Sequence, residues 1–150
     1  GMEILVGARP GVSKPAAERI PLEQLFHQAD FISLHCPLTP DTKNLINRQT
    51  LALMKPTAFL INTARGALID EAALIETLRH KKIAGAALDV ITQEPPPTDH
   101  PIVVAAKELD NLTVTPHTAW SAREARQRLL EVVKENIAAF LQGQAKNLVG

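Results

Sequence analysis

A chain of 150 residues, 45% of them hydrophobic and 21% charged, has room for one domain with a real core and the balance of an ordinary globular protein. Its 16 Lys and Arg residues match 16 Asp and Glu residues, and only 3% are aromatic with no Tyr, which argues against a nucleic-acid surface, a polybasic membrane patch or a base-stacking platform. The single cysteine, Cys36, leaves no internal disulfide or zinc cluster, no histidine pair has a metal-ligand spacing, and no membrane-length apolar run or secretory pattern is present, so a reduced, cytoplasmic setting is expected.

In chain order the sequence alternates between strand and helix patterns. Met2 to Ala8 is a short apolar run closed by Arg9-Pro10-Gly11, a turn signal. Pro21 to Gln28 predicts a short helix with Leu22, Leu25 and Phe26 on one face, and Phe31 to His35 a buried strand stopped by Pro37. Leu38 to Met54 is mixed, with Thr39-Pro40 placed to open a helical turn. Ala58 to Asn62 reads as the next strand. Asp70 then caps a helix with Glu71 in its positive first turn, Leu74, Ile75 and Leu78 on its buried stripe, and Arg79, Lys81 and Lys82 at its negative end. Ala84 to Val90 is a strand of small residues that suits close approach of backbone or ligand. Thr92 to Pro101 is a Pro-rich loop, Leu112 to Thr115 a last strand, and Ser121 to Leu141 a long amphipathic helix with a stop at Gly143.

Short apolar strands alternating with helices predict an α/β fold, a doubly wound parallel sheet with helices on both faces. Such sheets bind ligands at the carboxyl ends of their strands. The polar groups at those ends are Arg9, His35-Cys36, Asn62 to Arg65, Asp89 and His117. Among them Arg65 has the planar fork that grips a carboxylate through two contacts, and the Gly66 that follows leaves room for backbone and ligand to approach. His117 has the chemistry of a general acid and base near neutral pH, and Glu94 that of a carboxylate that favours the charged imidazole and fixes its tautomer. Taken singly, each is an ordinary surface, loop or structural residue. Together they are what reduction of a 2-keto acid requires.

The run Asn62-Thr63-Ala64-Arg65-Gly66 with Leu68 to Leu74, then Gly85 to Val90, Glu94-Pro95-Pro96 and Thr115 to Trp120, resembles the D-isomer-specific 2-hydroxyacid dehydrogenases in motif order and spacing over nearly the whole chain. His35 to Thr39, Thr42 to Ile46 and Trp120 are most similar to the glycerate dehydrogenase, or hydroxypyruvate reductase, branch. The resemblance implies a Rossmann-like NAD(P)-binding domain. It implies hydride transfer between a nicotinamide cofactor and a small 2-keto or 2-hydroxy acid, with hydroxypyruvate or glyoxylate as the keto acid. Arg65 would bind the substrate carboxylate, His117 would be the acid-base residue and Glu94 its partner. Asp89 would bond near the nicotinamide, and Cys36 and Pro37 would line the adenosine side. Thr63, Ala64 and the stretch from His117 through Ala119 to Trp120 would touch the cofactor. His27, His80 and His100 match no catalytic position and read as surface residues. The family also implies a homodimer. Its cofactor-sensing co-regulators offer a second, non-catalytic reading, whereas a hydrolase is disfavoured because the sequence has no G-x-S-x-G.

The chain departs from the family in two places. Where NAD-dependent relatives carry an acidic residue for the ribose 2′-hydroxyl, it has Ala8 followed by Arg9, which favours NADP over NAD. It also has no G-x-G-x-x-G, the cradle for a pyrophosphate. The chain therefore reads as a C-terminal fragment, or a piece that pairs with another chain. Residues 1–120 would form a partial NAD(P)-binding domain, and 121–150 a helix returning to a missing substrate domain. Without the first, central strand, Met2 to Ala8 and Ala58 to Asn62 would flank a gap, and the isolated chain would be inactive.

Overall fold

The structure, a computed structural model, describes residues 1–12, 18–144 and 146–148. It divides into two units, Gly1–Pro116 and His117–Gly150, where the sequence suggested a boundary after Trp120. In the first unit, four parallel strands stand side by side in chain order: β1 (Phe31–Leu34), β2 (Phe59–Asn62), β3 (Gly85–Leu88) and β4 (Leu112–Val114). Parallel neighbours need crossovers. Here these contain α2 (Arg48–Ala52), α3 (Glu71–Arg79) and α4 (Pro101–Glu108), while α1 (Leu22–Gln28) leads into β1.

Register places Ile32, Leu60, Ala86 and Leu112 in one row across the sheet, and all of them are buried. The other face is more open. Phe31 and Phe59 stack on it with ring centroids 5.6 Å apart and remain exposed, in contrast to the expectation of strands buried on both sides. Gly85 follows in the same row, and a Cβ there would come within 3.1 Å of the Phe59 ring, so the small residue of β3 makes room for a neighbouring side chain.

Three expectations need correction. Met2 to Ala8 is not a strand: a single bridge joins Gly7 to Ile20, and Met2 and Ile4 are exposed. A strand persists only when its backbone groups find a partner along its length, and no described strand lies beside this run. Ala58 to Asn62 does not flank a gap, because β2 sits between β1 and β3; β1 is the edge. Finally, Pro101, read as the end of the Pro-rich loop, begins a helix. Pro101 occupies the first turn of α4, where no N–H is needed, and Ile102 and Ala105 are buried.

The cap of α3 is as expected, with Asp70 Oδ1 accepting Ala73 N at 3.0 Å while Ala73, Leu74, Ile75 and Leu78 turn into the core. Helix α2 is opened by a reciprocal cap between Asn47 and Thr50. Arg48 Nη1 and Nη2 both donate to the Glu76 carboxylate of α3, and this pairing lowers the Glu76 pKa from its ordinary value.

The second unit contains α5 (Arg123–Leu141), none of whose residues is buried. It ends as the sequence indicates. Gly143, with φ +68°, donates to Phe140 O at 3.0 Å and Gln144 donates to Ala139 O at 2.9 Å, closing the last turn.

Burial sets the expected stability pattern. Leu74→Ala in the fully buried stripe of α3 should cost about 3 kcal/mol in urea unfolding, and Ile4→Ala in the exposed run less than about 0.5 kcal/mol. The Glu76 contribution should be present above the ordinary carboxylate pKa and fade as pH falls through its depressed value. Arg48→Ala should move the Glu76 carboxyl titration, followed by NMR, upward.

Candidate active site

The carboxyl ends of β2, β3 and β4 form one edge. Asn62 ends β2, and its carbonyl accepts Asp89 N at 2.9 Å just beyond β3; Leu88 O in turn accepts Thr115 N at 2.9 Å just beyond β4. Asp89 is buried, and its Oδ1 accepts the Thr115 hydroxyl at 2.5 Å. The register sets Asn62 level with Leu88 and Val114, so that Asp89 and Thr115 follow one residue beyond, at the same edge.

Asn62, fully buried, shapes the loop that carries Arg65. Its Oδ1 accepts Ala64 N at 3.0 Å, an Asx turn, and its Nδ2 donates to Arg65 O at 2.9 Å. Thr63 and Arg65 are left exposed, and Arg65 Nη1 donates to Ala64 O at 2.6 Å. Gly66 then opens a single 3-10 turn, Gly66–Leu68. A Cβ on Gly66 would lie 2.0 Å from Ile91 C and 2.5 Å from Thr92 N. What approaches Gly66 is therefore the backbone after β3, rather than a ligand. That backbone leads to Glu94, whose Oε1 accepts Ile91 N at 2.9 Å.

Other candidates sit further along the edge. Cys36 follows β1, half-buried against the core, and the carbonyl of the exposed Pro37 accepts the Thr42 hydroxyl at 2.7 Å. Arg9 is exposed at the end of the irregular N-terminal run. Nearby, Arg19, which drew no notice in the sequence, donates Nη1 to Gly7 O at 2.8 Å.

His117 and Ala119 belong to the second unit. There His117 takes φ +53°, a conformation uncommon for a residue with a side chain, and its carbonyl accepts Trp120 Nε1 at 2.9 Å.

Residues 1–119 match the family described as D-isomer specific 2-hydroxyacid dehydrogenase, NAD binding domain. The chain belongs to this family. It is 48% identical over 130 residues to a glycerate dehydrogenase of Methylorubrum extorquens, covering 87% of this chain and 41% of the relative. It is 37% identical to a hydroxypyruvate reductase of Blautia hydrogenotrophica, covering 99% of this chain and 46% of the relative. The chain thus spans less than half the length of these dehydrogenases. Among solved structures, an acyclic imino acid reductase in complex with NADPH and D-Arg superposes with a TM-score of 0.79 at 33% identity, over 97% of this chain and 46% of that one. The NAD-complexed D-isomer specific 2-hydroxyacid dehydrogenase of Lactobacillus delbrueckii ssp. bulgaricus superposes with a TM-score of 0.78 at 28% identity, over 86% and 42%.

Several residues that build this edge escaped the sequence reading. Asn62 stood out only as a polar strand end, although an Asn two residues before Ala64 is an Asx-turn signal. Thr115 looked like an ordinary strand residue. His100 is not on the surface: it is 7% exposed, beside Glu71. His27 and His80 are exposed, as expected.

The Arg65 loop has little slack. Asn62→Ala should strand Ala64 N and Arg65 O and cost about 2 kcal/mol. Gly66→Ala should cost about 3 kcal/mol or more, because the atoms it meets are backbone. Urea midpoints of the two variants check both.

Proposed function

We propose that this chain supplies the catalytic half of an NAD(P)-dependent reductase of small 2-keto acids, with hydroxypyruvate and glyoxylate as the substrate class. The observation that carries the reading is the contact of Gly66 with the Ile91–Thr92 backbone, which holds the Arg65 loop against the segment leading to Glu94. The names of its relatives, glycerate dehydrogenase and hydroxypyruvate reductase, support the same substrate class.

The donor set fits a nicotinamide at this edge. Asp89 offers a carboxyl group just beyond β3, suited to carboxamide N–H groups, with Thr63 and Ala64 on the next loop to touch the cofactor and Cys36 and Pro37 on the adenosine side; the family resemblance adds Ala119 to the cofactor contacts. No G-x-G-x-x-G occurs in the chain, so its own residues provide no cradle for the pyrophosphate. When bound, the nicotinamide supplies a hydride for the carbonyl carbon. Arg65 holds the substrate carboxylate in two contacts and orients the carbonyl. His117 gives its proton to the carbonyl oxygen as that oxygen gains charge, and takes it back in the reverse direction. Glu94 fixes the imidazole tautomer and stabilises its charged form. The left-handed backbone of His117 is consistent with a residue held for function rather than for comfort.

Residues 1–120 then serve as part of an NAD(P)-binding domain, and 121–150, the segment that contains α5, return to a substrate domain. The activity resides in a cytoplasmic homodimer of the full-length enzyme and is absent from the 150-residue chain alone. Ala8 and Arg9 favour NADPH, since a guanidinium can pair with a 2′-phosphate and Ala8 brings no carboxylate to repel it. One neighbour is a complex with NADPH and another with NAD, so both cofactors suit this fold.

In the full-length dehydrogenase, His117→Asn should lower kcat for hydroxypyruvate reduction about 1,000-fold. NADPH should be preferred over NADH in kcat/KM, and Arg9→Asp should reverse that order. Tight NADH binding without turnover of any 2-keto acid would favour the co-regulator reading instead. A clear wild-type preference for NADH would contradict the role of Arg9.

A further inference from the structure

The loop that carries Glu94 starts and ends beside one side chain. Glu71, the first residue of α3, accepts Thr92 N on Oε1 at 2.7 Å and the Thr92 hydroxyl on Oε2 at 3.0 Å. At the far end of the loop, His100 Nε2 lies 3.8 Å from Glu71 Oε2, immediately before α4 begins. Both side chains are shielded from water, with 12% of Glu71 and 8% of His100 exposed.

This arrangement is more than a first-turn carboxylate needs. An acidic residue at a helix N-terminus is already favoured by the helix dipole, and is comfortable in solvent. Glu71 instead gives up solvent and spends both oxygens on the loop. His100 Nδ1 is buried without a hydrogen-bond partner among the described residues. The other ring nitrogen, Nε2, is the one that faces Glu71.

A second observation ties the pair to the site. Glu94 Oε1 accepts Ile91 N, and Glu71 Oε1 accepts the next amide, Thr92 N. Two carboxylates thus hold two successive amides on the segment that Gly66 packs against. A shift of the Thr92 peptide would move the anchor of Glu94.

We propose that Glu71 is a positioning residue: its two bonds to Thr92 pin the start of the Thr92–His100 loop and so fix the place of Glu94, with His100 packed beside it at 3.8 Å. Glu71 touches neither substrate nor cofactor. The inference rests on the reading of Glu94 as the partner of the acid-base histidine.

Glu71→Gln tests it, because Gln keeps the side-chain size but turns one acceptor into a donor facing Thr92 or His100. In the isotope-labelled 150-residue chain, the Ile91, Thr92 and Glu94 amide resonances should shift, and exchange of the Thr92 amide with solvent should accelerate about 10-fold or more. In the full-length enzyme, kcat for hydroxypyruvate should fall about 10-fold while KM for the keto acid and for the cofactor stays within about twofold, since Arg65 and the cofactor contacts are untouched. Unchanged Thr92 and Glu94 resonances would refute the brace. Shifted resonances with unchanged kcat would refute its role in positioning, and KM rising in step with the loss of kcat would mark general structural damage instead. A wild-type full-length enzyme without turnover would sink the dehydrogenase reading itself, with the amide measurement still deciding the brace.

Discussion

The site depends on one close approach. Backbone atoms of Ile91 and Thr92 occupy the space where a side chain at residue 66 would begin, so two loops from neighbouring strands meet with nothing between them. On one side of the contact, Asn62 folds the loop of Arg65 through bonds to Ala64 N and Arg65 O. On the other, Glu94 and Glu71 take the amides of Ile91 and Thr92. Interiors are packed too tightly for one of these loops to move without its neighbour. A surface cation and a loop carboxylate, unremarkable as separate residues, thereby acquire a fixed relation.

The sheet makes this contact possible. Parallel pairing brings the ends of β2, β3 and β4 level, and the backbone bonds from Asp89 N to Asn62 O and from Thr115 N to Leu88 O extend the ladder one residue past the strands. Polar side chains at those positions then share one edge, where strand carbonyls end and loops begin. The opposite boundary is less complete. β1 is a sheet edge whose Phe31 stays exposed, and the Met2 to Ala8 run holds only one bridge. In the full-length dehydrogenases, more than half of the chain lies outside the part matched here.

Much of this was legible in the sequence because it is written locally. Apolar runs of strand length, the Asp70 cap and the Gly143 stop each act within a few residues, and the structure has them. Asn62 and Asp89 also fall at or just beyond strand ends, as read, with Arg65 on the loop after β2 and Glu94 on the loop after β3. What could not be read depends on partners distant in the chain. Met2 to Ala8 has the composition of a strand, but a strand is defined by its neighbour. Gly66 advertised free space without naming its occupant. His100 and Glu71 are 29 residues apart, one read as a surface group and the other as a helix first-turn acid, yet they lie 3.8 Å apart and shielded from water. The helix from Pro101 to Glu108 was within reach, since Pro at a first helical position is a recognised start signal.

The central proposal is that Arg65 grips the carboxylate of a 2-keto acid from a loop fixed by the contact of Gly66 with Ile91, with His117 as the acid-base residue. A crystal structure of the full-length dehydrogenase with NADPH and oxamate, an unreactive analogue of a 2-keto acid, tests it most directly. The expected result is the oxamate carboxylate in the Arg65 fork, its carbonyl oxygen hydrogen-bonded to the His117 ring, and Gly66 still against the Ile91 backbone. Oxamate bound away from Arg65, or an Arg65 loop detached from Ile91 in the complex, would contradict the account.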